Sequence, residues 1–117
     1  MSSREEYIDL ANAKDILFLA KKIEKYSNPY SNGKTLYENA QAFDACLMNF
    51  VAIGEAVSRI SNDFKETHAQ IEWNGIKRFR NMIAHQYFGI DYDEVWEIVE
   101  NYVPDLIFKL ETILSDE

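Results

Sequence analysis

TLYENAQAFDACLMNFVAIGEAVSRI, residues 35–60, is the stretch whose reading decides the fold. Ala40, Phe43, Leu47, Phe50, Val51, Gly54 and Val57 recur at the helical period and form one apolar face. Ala42, Cys46, Ile53 and Ile60 carry apolar surface further around the axis. A helix this apolar is expected to touch neighbours on more than one side and to lie at the centre of an all-α domain. Thr35 and Glu38 have the spacing of a capping box that would start it. Gly54 weakens the helix locally by about 1 kcal/mol relative to alanine, which points to close approach of a neighbouring helix.

Working outward, three more helices are legible. The first is predicted from Ser3 to Tyr26, opened by Ser2 with Glu5 or Ser3 with Glu6. Leu10, Ala13, Ile16, Leu17, Ala20 and Ile23 form its stripe, and Lys14, Lys21, Lys22 and Lys25 read as its solvated side. Ser27 to Gly33 is a loop by composition. Tyr26, Tyr30 and Tyr37, in or beside it, more commonly cover a core than stack on bases. Ser61 to Glu72 is polar and irregular in part, and a third helix runs from Trp73 to Ala84 on Trp73, Ile76, Phe79 and Ile83. Gly89 is the expected left-handed stop. Asp91 then caps a fourth helix with Glu94 at the third position. Val95, Ile98, Val99, Tyr102, Leu106, Leu110 and Ile113 make its buried stripe, and Pro104 should kink it. The simplest architecture is an antiparallel four-helix bundle, one domain over residues 1–117.

Bulk properties narrow the function classes. Apolar residues are 47% and charged residues 27%, the balance of a globular chain. Cys46 is the only cysteine, which excludes an internal disulfide framework. It reads as buried and inert. No segment has the character of a signal peptide or a membrane span, so a soluble, cytoplasmic protein is expected. The net charge of −8 argues against charge-driven nucleic-acid binding over the whole surface. Any RNA contact must be local and positioned.

Such a local spot exists. Lys77-Arg78-Phe79-Arg80-Asn81-Met82-Ile83-Ala84-His85-Gln86-Tyr87 holds three of the twelve cations and one of the two histidines. Cleaving RNA without a metal takes a base for the 2′-hydroxyl, a cation for the phosphate and an acid for the leaving oxygen. Histidine titrates near neutrality and serves as base or acid. Arginine presents a fixed fork of donors matched to phosphate, while tyrosine and asparagine hydrogen-bond the phosphate or orient the imidazole. Lys77 and Arg78 are candidates for substrate binding. On a helix, Arg80 and His85 point about 140° apart, whereas Tyr87 returns to the face of Arg80. His85 is expected to be reconciled with Arg80 by both of two remedies together, a frayed helix end and a second copy of the chain that brings two such ends face to face about a two-fold axis. Structural readings stand beside these. His85 could be a satisfied structural residue, and Arg80 could pair with Glu55, Asp91 or Asp93. Glu55 could instead pair with Arg59 at i+4. His68 and His85 are seventeen apart with no ligand-spaced cysteine or carboxylate beside them, so neither a metal nor a cofactor site is expected.

The run Arg80 to Tyr87 resembles the Arg-x4-His-x-Tyr motif of HepT-like toxins in the HEPN superfamily. Ile53-Gly54-Glu55-Ala56, Trp73 with Ile76, and Asp91 to Trp96 are similar to further stretches of that family, so the likeness covers nearly the whole chain. The resemblance implies a homodimer of HEPN helical bundles acting as a metal-independent RNA endonuclease toxin. It implies that Arg80 and His85 are catalytic and that Asn81 occupies a position favouring a polar residue. It also implies an MntA-like nucleotidyltransferase antitoxin that can attach AMP to Tyr87. Added phosphates would occupy the site and repel substrate. His68-Ala69-Gln70-Ile71-Glu72 departs from the family in lacking prolines before Trp73. A different function class stays open on the acidity: a non-catalytic dimeric module that binds a nucleotide or a partner.

Overall fold

Every regular element in this computed structural model, which describes residues 3–115, is helical. In chain order the helices are α1 (Ser3–Ser27), α2 (Gly33–Glu38), α3 (Ala40–Ser58), α4 (Asn62–Thr67), α5 (Trp73–Gln86), α6 (Tyr92–Glu97) and α7 (Val103–Ser115). A 3₁₀ turn, Tyr87–Gly89, follows α5, and a π turn, Ile98–Tyr102, joins α6 to α7. The capping boxes read on Ser2 and Ser3 lie outside the described side chains.

The central stretch is one apolar run but two helices. Asn39 sits in extended backbone (φ −96°, ψ 95°), and its side chain accepts from the Ala42 N–H to cap α3. The expected Thr35–Glu38 box is not the start. Asn32 caps α2 instead: its side chain accepts from the Thr35 N–H at 2.9 Å, and the Thr35 hydroxyl accepts from the Asn32 N–H at 3.3 Å. The helix therefore begins at Gly33, where only a glycine fits. A Cβ there would lie 2.5 Å from the Tyr92 carbonyl oxygen of α6.

α3 is central, as its all-round apolarity predicts. It packs on α1 along one side and α5 along the other, while α7 packs on α1. Ile16 and Ile23 of α1, Ile53 and Val57 of α3 and Leu110 of α7 are fully buried. Each such side chain contributes about 1.5–3 kcal/mol on leaving water. With α2–α3 and α6–α7 each counted as one broken helix, the arrangement is the expected all-α bundle. Polar ties help hold the α1–α3 layer in register, the most buried of them at Asp9. Asp9, only 1% exposed, accepts from the Ser61 N–H at 2.8 Å and from the Ser61 hydroxyl at 2.6 Å. That hydroxyl in turn accepts from the Phe64 N–H and caps α4 within the stretch expected to be partly irregular.

One backbone expectation is corrected, and another takes a specific form. No described glycine has positive φ, so Gly89 is not a left-handed stop. Chain direction changes instead through the 3₁₀ turn, and Ile90 in extended backbone leads to Asp91, which caps α6 by accepting from the Asp93 N–H rather than that of Glu94. Ahead of Pro104, where a kink is expected, the helix opens into a π turn. Proline cannot donate to the carbonyl four residues back, and the strain is taken up one turn earlier, where the Val103 N–H reaches the Ile98 carbonyl.

Candidate functional site

α5 carries the candidate residues, and its start is fixed by burial. Ile71 and Trp73 are buried, and the Trp73 indole N–H donates to the His68 carbonyl at 3.0 Å. This turn needs no proline. His68 stacks on Phe64 with ring centroids 4.4 Å apart, a structural contact. Among the described residues no three His, Cys, Asp or Glu side chains cluster as metal ligands would.

From Trp73 to Ile90 there is no carboxylate, in a chain that has twenty. The carboxylates that pair with side chains of this segment, Asp44 and Glu55, both come from α3. Gly54 lets α5 approach: a Cβ there would fall 2.5 Å from both Cβ and Cγ of Arg80. The Arg80 stem lies over that gap, and its Nη2 pairs with Glu55 Oε1. Of the three carboxylates considered for Arg80, Glu55 is the partner. Arg59 donates instead to Asn12 Oδ1 at 3.1 Å, so the Glu55–Arg59 alternative falls away. The second arginine nitrogen, Nη1, donates to Asn81 Oδ1 at 3.2 Å.

Tyr87 lies on the same side of α5 as Arg80, as the helical period predicts. Its Oη donates to Asp44 Oδ1 at 2.7 Å. That hydrogen bond to a carboxylate, more than burial or the nearby charge itself, holds the phenol above its ordinary pKa. Asp44 is the residue the sequence reading missed. A signal for it existed: Asp44 and Glu55 are eleven positions apart, which brings them back to within about 20° of one face of α3.

His85 is on the other side. α5 continues regularly through Gln86, so His85 stands in the last turn of an intact helix and the frayed-end explanation fails. Its ring is exposed and has no hydrogen-bond or ion-pair partner among the described residues. Asn81 precedes it by four residues, one turn away on the same face, at a Cβ spacing of roughly 5–6 Å. The amide that accepts from Arg80 is thus the helical neighbour of the imidazole. Lys77 and Arg78 are exposed on this helix without a carboxylate partner among the described residues. Lys77 adds to burial in lowering the pKa of Lys65, a mark of local positive potential. Phe88, three residues past His85, is 99% exposed. Cys46 is fully buried, and burial pushes its thiol up to about 11, consistent with an inert core residue.

Of the loop tyrosines, Tyr26 and Tyr30 pack against the core, whereas Tyr37 is half exposed and stacks on Phe43 and Tyr92. Lys21 pairs with Glu111 of α7 at 3.2 Å, a surface contact as the solvated-side reading expects.

Comparison with known proteins gives a consistent result. The profile of the family described as "Ribonuclease HepT-like" matches residues 16–113. "Putative RNase MJ0127" of Methanocaldococcus jannaschii is 35% identical over 102 residues, covering 87% of this chain and 84% of the relative. "Putative RNase MJ1380" of the same organism is 33% identical, covering 92% of this chain and 91% of the relative. "Probable ribonuclease HepT" of Thermococcus cleftensis is 41% identical over 61 residues, covering 52% and 56%. No solved structure matches the chain.

Proposed function

The chain belongs to the ribonuclease HepT-like family and is a ribonuclease-type enzyme; from that premise we propose that it is an RNA endonuclease toxin whose chemistry rests on Arg80 and His85. One observation carries the assignment of residues. Arg80 is bonded to Asn81, and Asn81 neighbours an exposed His85 that has no protein partner among the described residues. His85 takes the proton from the 2′-hydroxyl or delivers one to the leaving 5′ oxygen. Arg80 holds the phosphate as negative charge grows on its oxygens, without a metal. Asn81 positions the arginine fork. The 140° between Arg80 and His85 is closed by a second copy of the chain, two α5 helices lining one cleft about a two-fold axis.

Regulation fits the same site. A nucleotidyltransferase antitoxin transfers AMP to Tyr87, a residue 44% exposed whose hydroxyl already donates to Asp44. The Oη–phosphorus bond forms as pyrophosphate leaves the nucleoside triphosphate, and the phenol proton passes to solvent or Asp44. The new phosphate then competes for Arg80.

The test is cleavage of a labelled RNA with a chelator present, comparing wild type with His85→Ala and Arg80→Ala. The expected result is cleavage and growth inhibition that both variants lose. Undiminished cleavage in His85→Ala overturns the assignment. A wild type that binds a nucleotide or a partner but never cuts RNA selects the non-catalytic module, the reading the net charge of −8 favours.

A further inference from the structure

Phe88 is the most exposed large apolar side chain among the described residues, at 99%. Its one ring neighbour is Tyr87, at 5.1 Å between centroids and 76° between planes, so both flat faces of Phe88 remain open. Tyr87 is itself anchored to Asp44, which fixes the turn that presents Phe88. Nothing in the function described so far uses this ring.

Its surroundings say what would cover it. Moving back along α5 from Phe88, the positions one helical turn apart are His85, Asn81 and Arg78, with Lys77 beside them. These are an imidazole, an amide and two cations, all exposed, in a segment that contains no carboxylate. An acidic protein surface could answer Lys77, Arg78 and the imidazole with carboxylates, but carboxylates do not cover a fully exposed ring. A nucleic-acid strand supplies both needs at once: phosphates for Lys77 and Arg78, and a flat base for Phe88. A duplex keeps its bases stacked inside and offers Phe88 no face, whereas a single strand does.

We propose that the outer side of α5 and the turn after it form a track for single-stranded RNA, on which an unpaired base beside the scissile phosphate stacks on Phe88. This rests on the ribonuclease reading and adds a selection rule to it. Cleavage falls at unpaired positions, because the base next to the phosphate that His85 attends must leave any helix to reach the ring. Phe88 is a positioning residue for the substrate, and it takes no proton and holds no phosphate.

The experiment uses the full chain and a fluorescent oligoadenylate methylated at each ribose 2′ oxygen, which can bind but cannot be cut by attack of its own hydroxyl. Binding is read by anisotropy. Phe88→Ala should weaken it about 5- to 150-fold, the range for losing one base–aromatic stack. Phe88→Trp should retain it. The same strand annealed to its complement should bind wild type and Phe88→Ala alike. Replacing Lys77 and Arg78 together by serine should flatten the dependence of log affinity on log salt by about 0.7 per lost contact. A fully exposed ring has no packing to lose, so misfolding does not confound the variant. Wild-type affinity in Phe88→Ala overturns the platform and leaves the ribonuclease reading standing. Loss of binding accompanied by conversion from two copies to one in sedimentation also overturns it, by making Phe88 a contact between copies. Failure of wild type to bind the strand at all removes the RNA reading together with the platform.

Discussion

The two sides of α5 are built from the same run of residues and have opposite fates. On the side facing α3, Phe79 packs edge-on against Phe50, Arg80 lies over Gly54 and pairs with Glu55, and Tyr87 is tied to Asp44. On the side facing away, Lys77, Arg78, His85 and Phe88 make no ion pair or hydrogen bond to protein among the described residues. The inner side chains are held in place, and the outer ones are available. A phosphate-cleaving site needs both kinds: a cation whose position is fixed before substrate arrives, and an acid–base group free to meet it. Asn81 is the hinge between them, accepting from Arg80 while sitting one turn from His85.

If this division is right, outer substitutions remove activity without stability, and inner ones trade in both. The largest effect is expected for His85→Ala: cleavage falls by about 10²- to 10⁴-fold. Its unfolding free energy in urea should stay within about 0.5 kcal/mol of wild type, because an exposed side chain without partners is lost. A large stability change would dissolve the distinction. Gly54→Ala should do the reverse, destabilising the fold by about 1–3 kcal/mol in urea unfolding. The added methyl meets the base of the Arg80 side chain, which cannot swing away, so cleavage by the folded fraction should fall as well.

Two smaller effects sharpen the inner side. Glu55→Ala removes the carboxylate partner of Arg80. The pair is partly exposed, with side chains 34% and 47% accessible, so stability should change by less than about 1 kcal/mol. Cleavage should drop by roughly 10-fold as Arg80 loses its fixed position, and Glu55→Gln, which keeps an acceptor, should recover part of it. Unchanged cleavage in Glu55→Ala would show that Asn81 alone holds the arginine. The smallest effect concerns Tyr87. Its phenol titrates above the ordinary tyrosine value because it donates to Asp44 and its phenolate would face that carboxylate. The raised pKa means that the stabilisation is present below the unfolded-chain value and is lost as pH rises through the folded one. In Asp44→Asn the titration should move back down, as read from ultraviolet difference spectra against Tyr87→Phe. A titration that stays put would show that the contact does not persist in solution.

Much of the fold was legible because helical periodicity is a local property. The central place of α3 follows from apolar residues on nearly all its sides, and the capping role of Asp91 follows from its position before an apolar stripe. Gly54 was readable as a close approach, though not which side chain would fill the gap. The break at Asn39 was not visible, because the apolar period runs unbroken through it. Extended backbone at one residue costs little when that residue's own side chain caps the helix that follows. At Gly89 composition pointed the wrong way. A glycine permits positive φ but does not require it, and the chain leaves α5 through a 3₁₀ turn instead.

The sequence by itself determined the apolar stripes of the long helices, the carboxylate-free run from Trp73 to Ile90, and the opposed directions of Arg80 and His85, since each depends only on spacing along the chain. Only the tertiary structure decided which acids meet that run. Asp44 and Glu55 lie 43 and 25 residues from Tyr87 and Arg80, and Asp9 lies 52 from Ser61. Contacts at such separations depend on the register in which helices pack. That register is set by the summed burial of many side chains and by glycine-sized gaps at Gly33 and Gly54, and no local motif encodes it.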